Sequence, residues 1–74
     1  MSAALLDRVD LLELARTSTA ARIAAETGAD LAIERHEDYP STYGASVATQ
    51  LVGLYGWHLA AEADAWAAYR RALR

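Results

Sequence analysis

Two ionisable side chains, His58 and Glu62, stand four residues apart within a largely apolar stretch of the chain. On a helix this spacing places both side chains on one face, one turn apart. An imidazole beside a carboxylate is a pair that general acid–base catalysis uses, and a buried carboxylate is costly unless it is paired. Glu62 therefore requires a partner. Arg16, which interrupts an apolar stripe in the first third of the chain, is the expected cation.

The position of Arg16 follows from the expected antiparallel packing of two long helices. If the connection runs from Gly28 to Ser46, Arg16 lies level with His58. We therefore predict a buried polar cluster of Arg16, His58 and Glu62. Its first interpretation is an interhelical salt bridge and hydrogen-bond network that fixes the register between helices or between subunits. A partly exposed arrangement at the rim of an interface and a catalytic or metal-binding role are the alternatives.

Neither a metal site nor a catalytic site has further support in the sequence. The chain contains no Cys and two His, and it carries neither the Glu-x-x-His nor the His-Glu-x-x-His spacing that helical metal sites use. It also lacks a glycine-rich phosphate-binding loop. A hairpin of this size offers little concavity for a shaped active site. We predict no metal, no cofactor and no catalytic residue, and therefore a protein that is not an enzyme by itself.

Residues 20–38 form a segment that resembles a helix-turn-helix. Ala24 and Gly28 stand where that motif places its small residue and its turn glycine. The pattern departs downstream, where Glu34 occupies a position that favours an apolar side chain. A reading helix that displays Glu34, Glu37 and Asp38 would also repel phosphates. A DNA-binding regulator is therefore an alternative function, and nucleic acid is not the expected partner.

The composition predicts one small helical domain over residues 1–74. The chain has 18 alanines, one proline and a hydrophobic fraction of 54%, which is typical of an all-α fold. A net charge of -3 argues against a polyanion-binding surface. All seven basic residues are arginine, which together with the alanine excess suggests a GC-rich coding source. A domain this short buries roughly 60% of its unfolded surface, so oligomerisation is an expected means of stabilisation.

Three helices are predicted along the chain. The first begins near Ala3 and ends at Gly28, with Thr17–Thr19 as either a break or a polar turn within it. A short helix follows from Asp30 to Asp38, then a loop from Tyr39 to Gly44. Ser41 or Ser46 caps a long final helix that ends at about Leu73, with arginines in its last turns. The fold is therefore a helical hairpin or a three-helix bundle, with two long antiparallel helices and a short middle one.

The final helix carries the strongest indication of assembly. Residues 39–61 contain no Asp, Glu, Lys or Arg, and a helix that is apolar on all sides should be covered on all sides. The remainder of so short a chain can cover one face, and a second copy is the simplest cover for the other. The residues predicted to carry the association are Val47, Leu51, Gly53, Tyr55, Gly56, Trp57, Trp66 and Tyr69.

These patterns favour a small interaction or accessory protein that acts as a homo-oligomer, such as a homodimer, or as a subunit beside another protein. A small subunit of an enzyme complex is a further alternative, in which His58 and Glu62 contribute to a site. Residues 39–61 also raise a membrane-spanning alternative, which their glycines, proline and hydroxyls disfavour. Since Asp7, Arg8 and Asp10 interrupt the first apolar segment, no secretory signal is expected and the predicted compartment is the cytoplasm.

Overall fold

The chain folds as an antiparallel pair of long helices. A computed structural model describes residues 3–74, with side chains from Arg8 onward. Helix α1 spans Ala3–Asp38 with 36 residues, and α2 spans Thr42–Ala72 with 31 residues. The Cα atoms occupy 56 × 14 × 13 Å, so the molecule is a rod about as long as α1 itself. The all-α prediction and the packing of two long helices are confirmed.

The predicted short middle helix is wrong, because α1 runs without interruption through both expected breaks. Ser18 and Thr19 are half-buried against α2, where Thr19 accepts a hydrogen bond from Trp66. Thr27 satisfies its hydroxyl within the helix by donating to the Ile23 carbonyl at 3.1 Å. Gly28 has no positive φ and continues the helix. Packing against α2 therefore outweighs the weak helix propensity of these residues.

The turn between the helices occupies Tyr39–Ser41. Pro40 disfavours helical backbone at Tyr39, and α1 ends at Asp38. Ser41 is the N-cap of α2, since its hydroxyl accepts a hydrogen bond from the Gly44 amide at 2.9 Å. Of the two serines predicted as the cap, Ser41 is confirmed. Arg70 and Arg71 lie in the last turn of α2, where cations complement the helix dipole.

The contact between the helices follows a seven-residue repeat. Every position of the repeat within the described side chains of α1 from Leu11 onward, and within α2, is buried or half-buried. On α1 the positions are Leu11, Ala15, Ser18, Arg22, Ala25, Ala29, Ala32 and His36. On α2 they are Gly44, Ala48, Leu51, Tyr55, His58, Glu62, Ala65, Tyr69 and Ala72. A repeat of this length is typical of left-handed coiled-coil packing.

Small side chains form the centre of this contact. Within the described part of the chain, the buried residues are Ala15, Ala29 and Ala65, with exposures of 0, 3 and 8%. At the loop end a Cβ on Gly44 would lie 3.9 Å from the His36 Cβ. Gly44 therefore faces His36 across the seam. Ala15, 21 residues before His36, then lies opposite Ala65, 21 residues after Gly44. Alanine at such positions allows the backbones to approach closely, and no large side chain is buried among the residues whose side chains the structure describes.

Gly28 gives a direct test of the continuous helix. A Cβ at this position would meet nothing within 4 Å, so we expect Gly28→Ala to raise the free energy of unfolding by about 0.5–1 kcal/mol. Gly44→Ala is the matched control, because its Cβ would lie 3.0 Å from Ser41 Oγ. We expect that variant to gain less or to lose stability. Urea unfolding at one fixed protein concentration measures both, and a destabilised Gly28→Ala would indicate a helix end there.

Candidate interaction surface

An ion pair joins the two helices near the middle of the rod. Arg22 Nε lies 3.0 Å from Glu62 Oε1, and Arg22 Nη2 lies 3.4 Å from Glu62 Oε2. The guanidinium also reaches Glu26 Oε2 at 3.0 Å, one turn along α1. Both Arg22 and Glu62 are half-buried. This two-pronged contact between an arginine and a carboxylate is directional, so it helps to fix the register of α1 against α2.

The same contacts change the acidity of both partners. Hydrogen bonds from Arg22, and secondarily from Thr19, hold the pKa of Glu62 below its usual range. Hydrogen bonds to Glu62 and then Glu26 raise the pKa of Arg22. Glu62 is therefore an ionised structural carboxylate at neutral pH, whereas a general acid would need a raised pKa.

The cation at Glu62 is Arg22, and the expected Arg16 is exposed elsewhere on α1. The difference follows from the turn. The prediction counted from a connection between Gly28 and Ser46, whereas the chain reverses at Tyr39–Ser41. This moves the register by six residues, so that Arg22 rather than Arg16 lies level with His58. His58 itself is half-buried and stacks edge-on against Trp57, with ring centroids 5.0 Å apart.

The two tryptophans have different environments. Trp66 is half-buried, donates its indole N–H to Thr19 Oγ1 at 2.8 Å and packs edge-on against Tyr69 at 6.0 Å. Trp57 is 65% exposed. Trp66 therefore belongs to the contact between α1 and α2, while Trp57 is available to a second molecule.

The eight residues predicted to carry association fall into two groups. Gly53, Gly56 and Trp57 are exposed in the single chain. The remaining five are half-buried on or beside the contact with α1, and they are Val47, Leu51, Tyr55, Trp66 and Tyr69. Association through the exposed group stays a prediction, because the structure describes one chain.

A shallow groove of about 530 Å³ runs beside Trp57 along one long side of the hairpin. We call it the Trp57 groove. Its lining is mostly apolar, with His58 and Asp64 as the ionisable groups. The lining residues are Leu14, Ser18 and Ala21 from α1, and Trp57, His58, Ala61, Asp64, Ala65 and Ala68 from α2.

The opposite long side, marked by the hydrogen bond between Trp66 and Thr19, carries a second set of exposed apolar side chains. The seven-residue spacing places Val9, Ile23, Val52, Leu59 and Leu73 there, and all are exposed. The exposure of this surface was not predicted from the sequence, because the broad apolar faces of the two helices were expected to cover each other. The signal was the small size of the residues at the seven-residue contact positions.

Comparison with known proteins gives no relative. No protein-family model matches the chain, and no match is found among curated proteins or solved structures. Across the described residues, no helix combines the length and hydropathy needed to cross a membrane, and no three or more His, Asp or Glu side chains gather into a metal-binding group. The surface itself is therefore the basis for a functional proposal.

Replacing Arg22 tests its assignment as the partner of Glu62. Arg22→Ala leaves a half-buried carboxylate without its main hydrogen-bond donor, so we expect a lower melting temperature. Arg16→Ala is the matched control at an exposed position of the same helix, and its stability should stay within about 0.5 kcal/mol of the parent. Thermal unfolding followed by circular dichroism distinguishes them. Equal losses in both variants would contradict the assignment.

The lowered pKa of Glu62 predicts a dependence of stability on pH. An unperturbed glutamate titrates at about 4.3, and the folded pKa lies below that of the unfolded chain. The contribution of ionised Glu62 to the free energy of unfolding is therefore complete above the pKa that Glu62 has in the unfolded chain. It is lost as the pH falls through the pKa that Glu62 has in the folded protein. Glu62→Gln removes it. Urea unfolding between about pH 7 and pH 3 should show the advantage of the parent shrinking with acid, and a constant difference would be inconsistent with this role.

Proposed function

We propose that this protein acts through protein–protein contact, as a homo-oligomeric interaction or accessory subunit. The observation that carries the proposal is the imbalance between core and surface. Within the described residues the buried apolar core is three alanines, whereas twelve large apolar side chains are exposed. Burying a large aliphatic or aromatic side chain contributes about 1.5–3 kcal/mol, so the single hairpin leaves most of its available stabilisation unused.

The total surface supports the same proposal. The chain exposes 5405 Å², while the usual scaling for a compact monomer of 8.0 kDa gives roughly 4,500 Å². The excess of about 900 Å² is close to the roughly 800 Å² that each partner contributes to a standard protein interface. The radius of gyration is 16.8 Å, against about 11 Å for a compact domain of this length. Lateral pairing of two rods would bury an area of this size on each chain, and the pair would keep the elongated shape of the single rod.

The alternatives draw less support from the structure. The helix-turn-helix interpretation required a turn at Gly28, and residues 20–38 instead lie within one continuous helix. A role as a small subunit of an enzyme complex stays a prediction. Glu62 is engaged by Arg22, and the groove beside His58 is shallow and open, so a contribution to chemistry would depend on groups from a partner.

Sedimentation equilibrium of the purified chain over a wide concentration range tests the proposal. We expect a reversible oligomer, with a dimer as the smallest species that covers a long face. Circular dichroism on the same samples reports whether helix content rises with association. A fully helical monomer at micromolar concentration and above would contradict homo-oligomerisation.

A further inference from the structure

Trp57 lies at the midpoint of the rod. It is the central residue of α2, with fifteen residues on either side between Thr42 and Ala72. In a twofold dimer whose axis crosses the rods at their middle, residues near the midpoint meet their own copies. Exposed tryptophan at the centre of a contact is the usual composition of an energetic hot spot. The most exposed large apolar side chain in α2 after Tyr43 therefore lies where a twofold interface would use it.

The Trp57 groove begins at Trp57 and extends toward the C-terminal end of α2, through Ala61 and Asp64 to Ala68. Trp57 forms the end of its own groove that is nearest the turn. The Cα–Cβ bond of a helical residue tilts toward the N-terminus of its helix, which directs Trp57 toward the turn end of the rod. In an antiparallel pair of hairpins, the partner's groove runs in the direction toward which Trp57 leans. In a parallel pair it runs the opposite way. The Trp57 side chain of one copy and the Trp57 groove of the other are therefore complementary in the antiparallel arrangement.

From these observations we propose that the chain forms an antiparallel, twofold-symmetric dimer in which Trp57 of each copy fills the Trp57 groove of the other. The inference rests on the proposed function, because it names the face and direction of the homo-oligomer. A buried indole N–H needs an acceptor, and Asp64 and Ser18 in the facing groove supply oxygen atoms for it.

The distribution of charge agrees with antiparallel pairing. The loop end, over residues 30–46, carries four carboxylates and one arginine. The open end, formed by residues 8–16 and 66–74, carries five arginines and two carboxylates. Antiparallel stacking places the acidic end of each copy over the basic end of the other. Parallel stacking would place like charge over like charge, which disfavours the encounter.

The available area is also sufficient for a stable dimer. One long side of the hairpin, taken from the Cα extents of 56 × 14 Å, offers about 800 Å². A standard interface buries about 800 Å² on each partner. Pairing along the whole rod is therefore adequate, whereas an end-to-end contact over 14 × 13 Å would not reach this size.

Substitution of Trp57 separates this inference from the proposed function. We expect Trp57→Ala to weaken the dimer at least tenfold in sedimentation equilibrium, while its circular dichroism at concentrations that keep it dimeric matches the parent, because Trp57 is exposed in the single chain. Leu59→Ala is the matched control, since Leu59 is exposed on the opposite long side. A dimer that tolerates Trp57→Ala overturns the assigned face but leaves the proposed function standing. A parent chain that stays monomeric overturns both the assigned face and the proposed homo-oligomer.

The absence of cysteine allows a test of direction by crosslinking. Tyr43 and Arg71 lie fourteen residues on either side of Trp57 and share its position in the seven-residue repeat. Antiparallel pairing brings position 43 of one copy to position 71 of the other and holds identical positions about 42 Å apart along the rod. Tyr43→Cys mixed with Arg71→Cys should therefore crosslink through a short bismaleimide, while either variant alone should not. If position 43 crosslinks to position 43 and position 71 to position 71, and no product joins position 43 to position 71, the antiparallel arrangement is overturned.

Discussion

The small size of the side chains between the two helices is the constraint from which the rest of the structure follows. Ala15, Ala29 and Ala65 are the buried residues among the described side chains, and all three lie at contact positions of the seven-residue repeat. Most large apolar side chains then lie at the flanks of the seam or outside it, and Leu51, Tyr55 and Tyr69, which occupy contact positions, are half-buried. The hairpin therefore gains a continuous and well-defined contact but almost no conventional core, and its apolar side chains are displayed along both long sides of the rod.

Polar contacts specify the register of this seam more than its small residues do. A repeat of alanines is nearly degenerate, because a shift by one heptad would again place small residues opposite each other. The Arg22–Glu62 pair, the hydrogen bond from Trp66 to Thr19 and the capped turn at Ser41 each fit one alignment. Breaking that alignment would leave half-buried polar groups without partners. These contacts therefore set the register of the two helices. Because the groups are only half-buried, their desolvation cost is limited.

Some features of the fold could be predicted from the sequence and others could not, for physical reasons. The helical class, the loop at Pro40 and the cap at Ser41 depend on local chemistry and were predictable. The continuity of α1 was not, because Thr17–Thr19 and Gly28 favour a break locally while packing against α2 overrides that preference. The pairing of Glu62 with Arg22 depended in turn on where the chain reverses.

The seven-residue repeat was missed for a related reason. Large apolar residues give the sequence signal for helical periodicity, whereas the contact positions are occupied mainly by alanine, glycine, serine, arginine and histidine. A heptad of small residues carries a weak hydrophobic signal although it determines the packing. The large apolar residues that gave the strongest signal, such as Ile23, Leu59 and Trp57, are the ones that the hairpin leaves exposed.

The central claim is that the isolated hairpin lacks the buried area to be stable by itself and is stabilised by a second copy. The dependence of the thermal unfolding midpoint on protein concentration tests it most directly, since association that is coupled to folding makes the midpoint rise with concentration. We predict a steady rise across two or more decades of concentration. A high midpoint that does not change over that range would show that alanine packing and the interhelical ion pair suffice, and it would contradict the account.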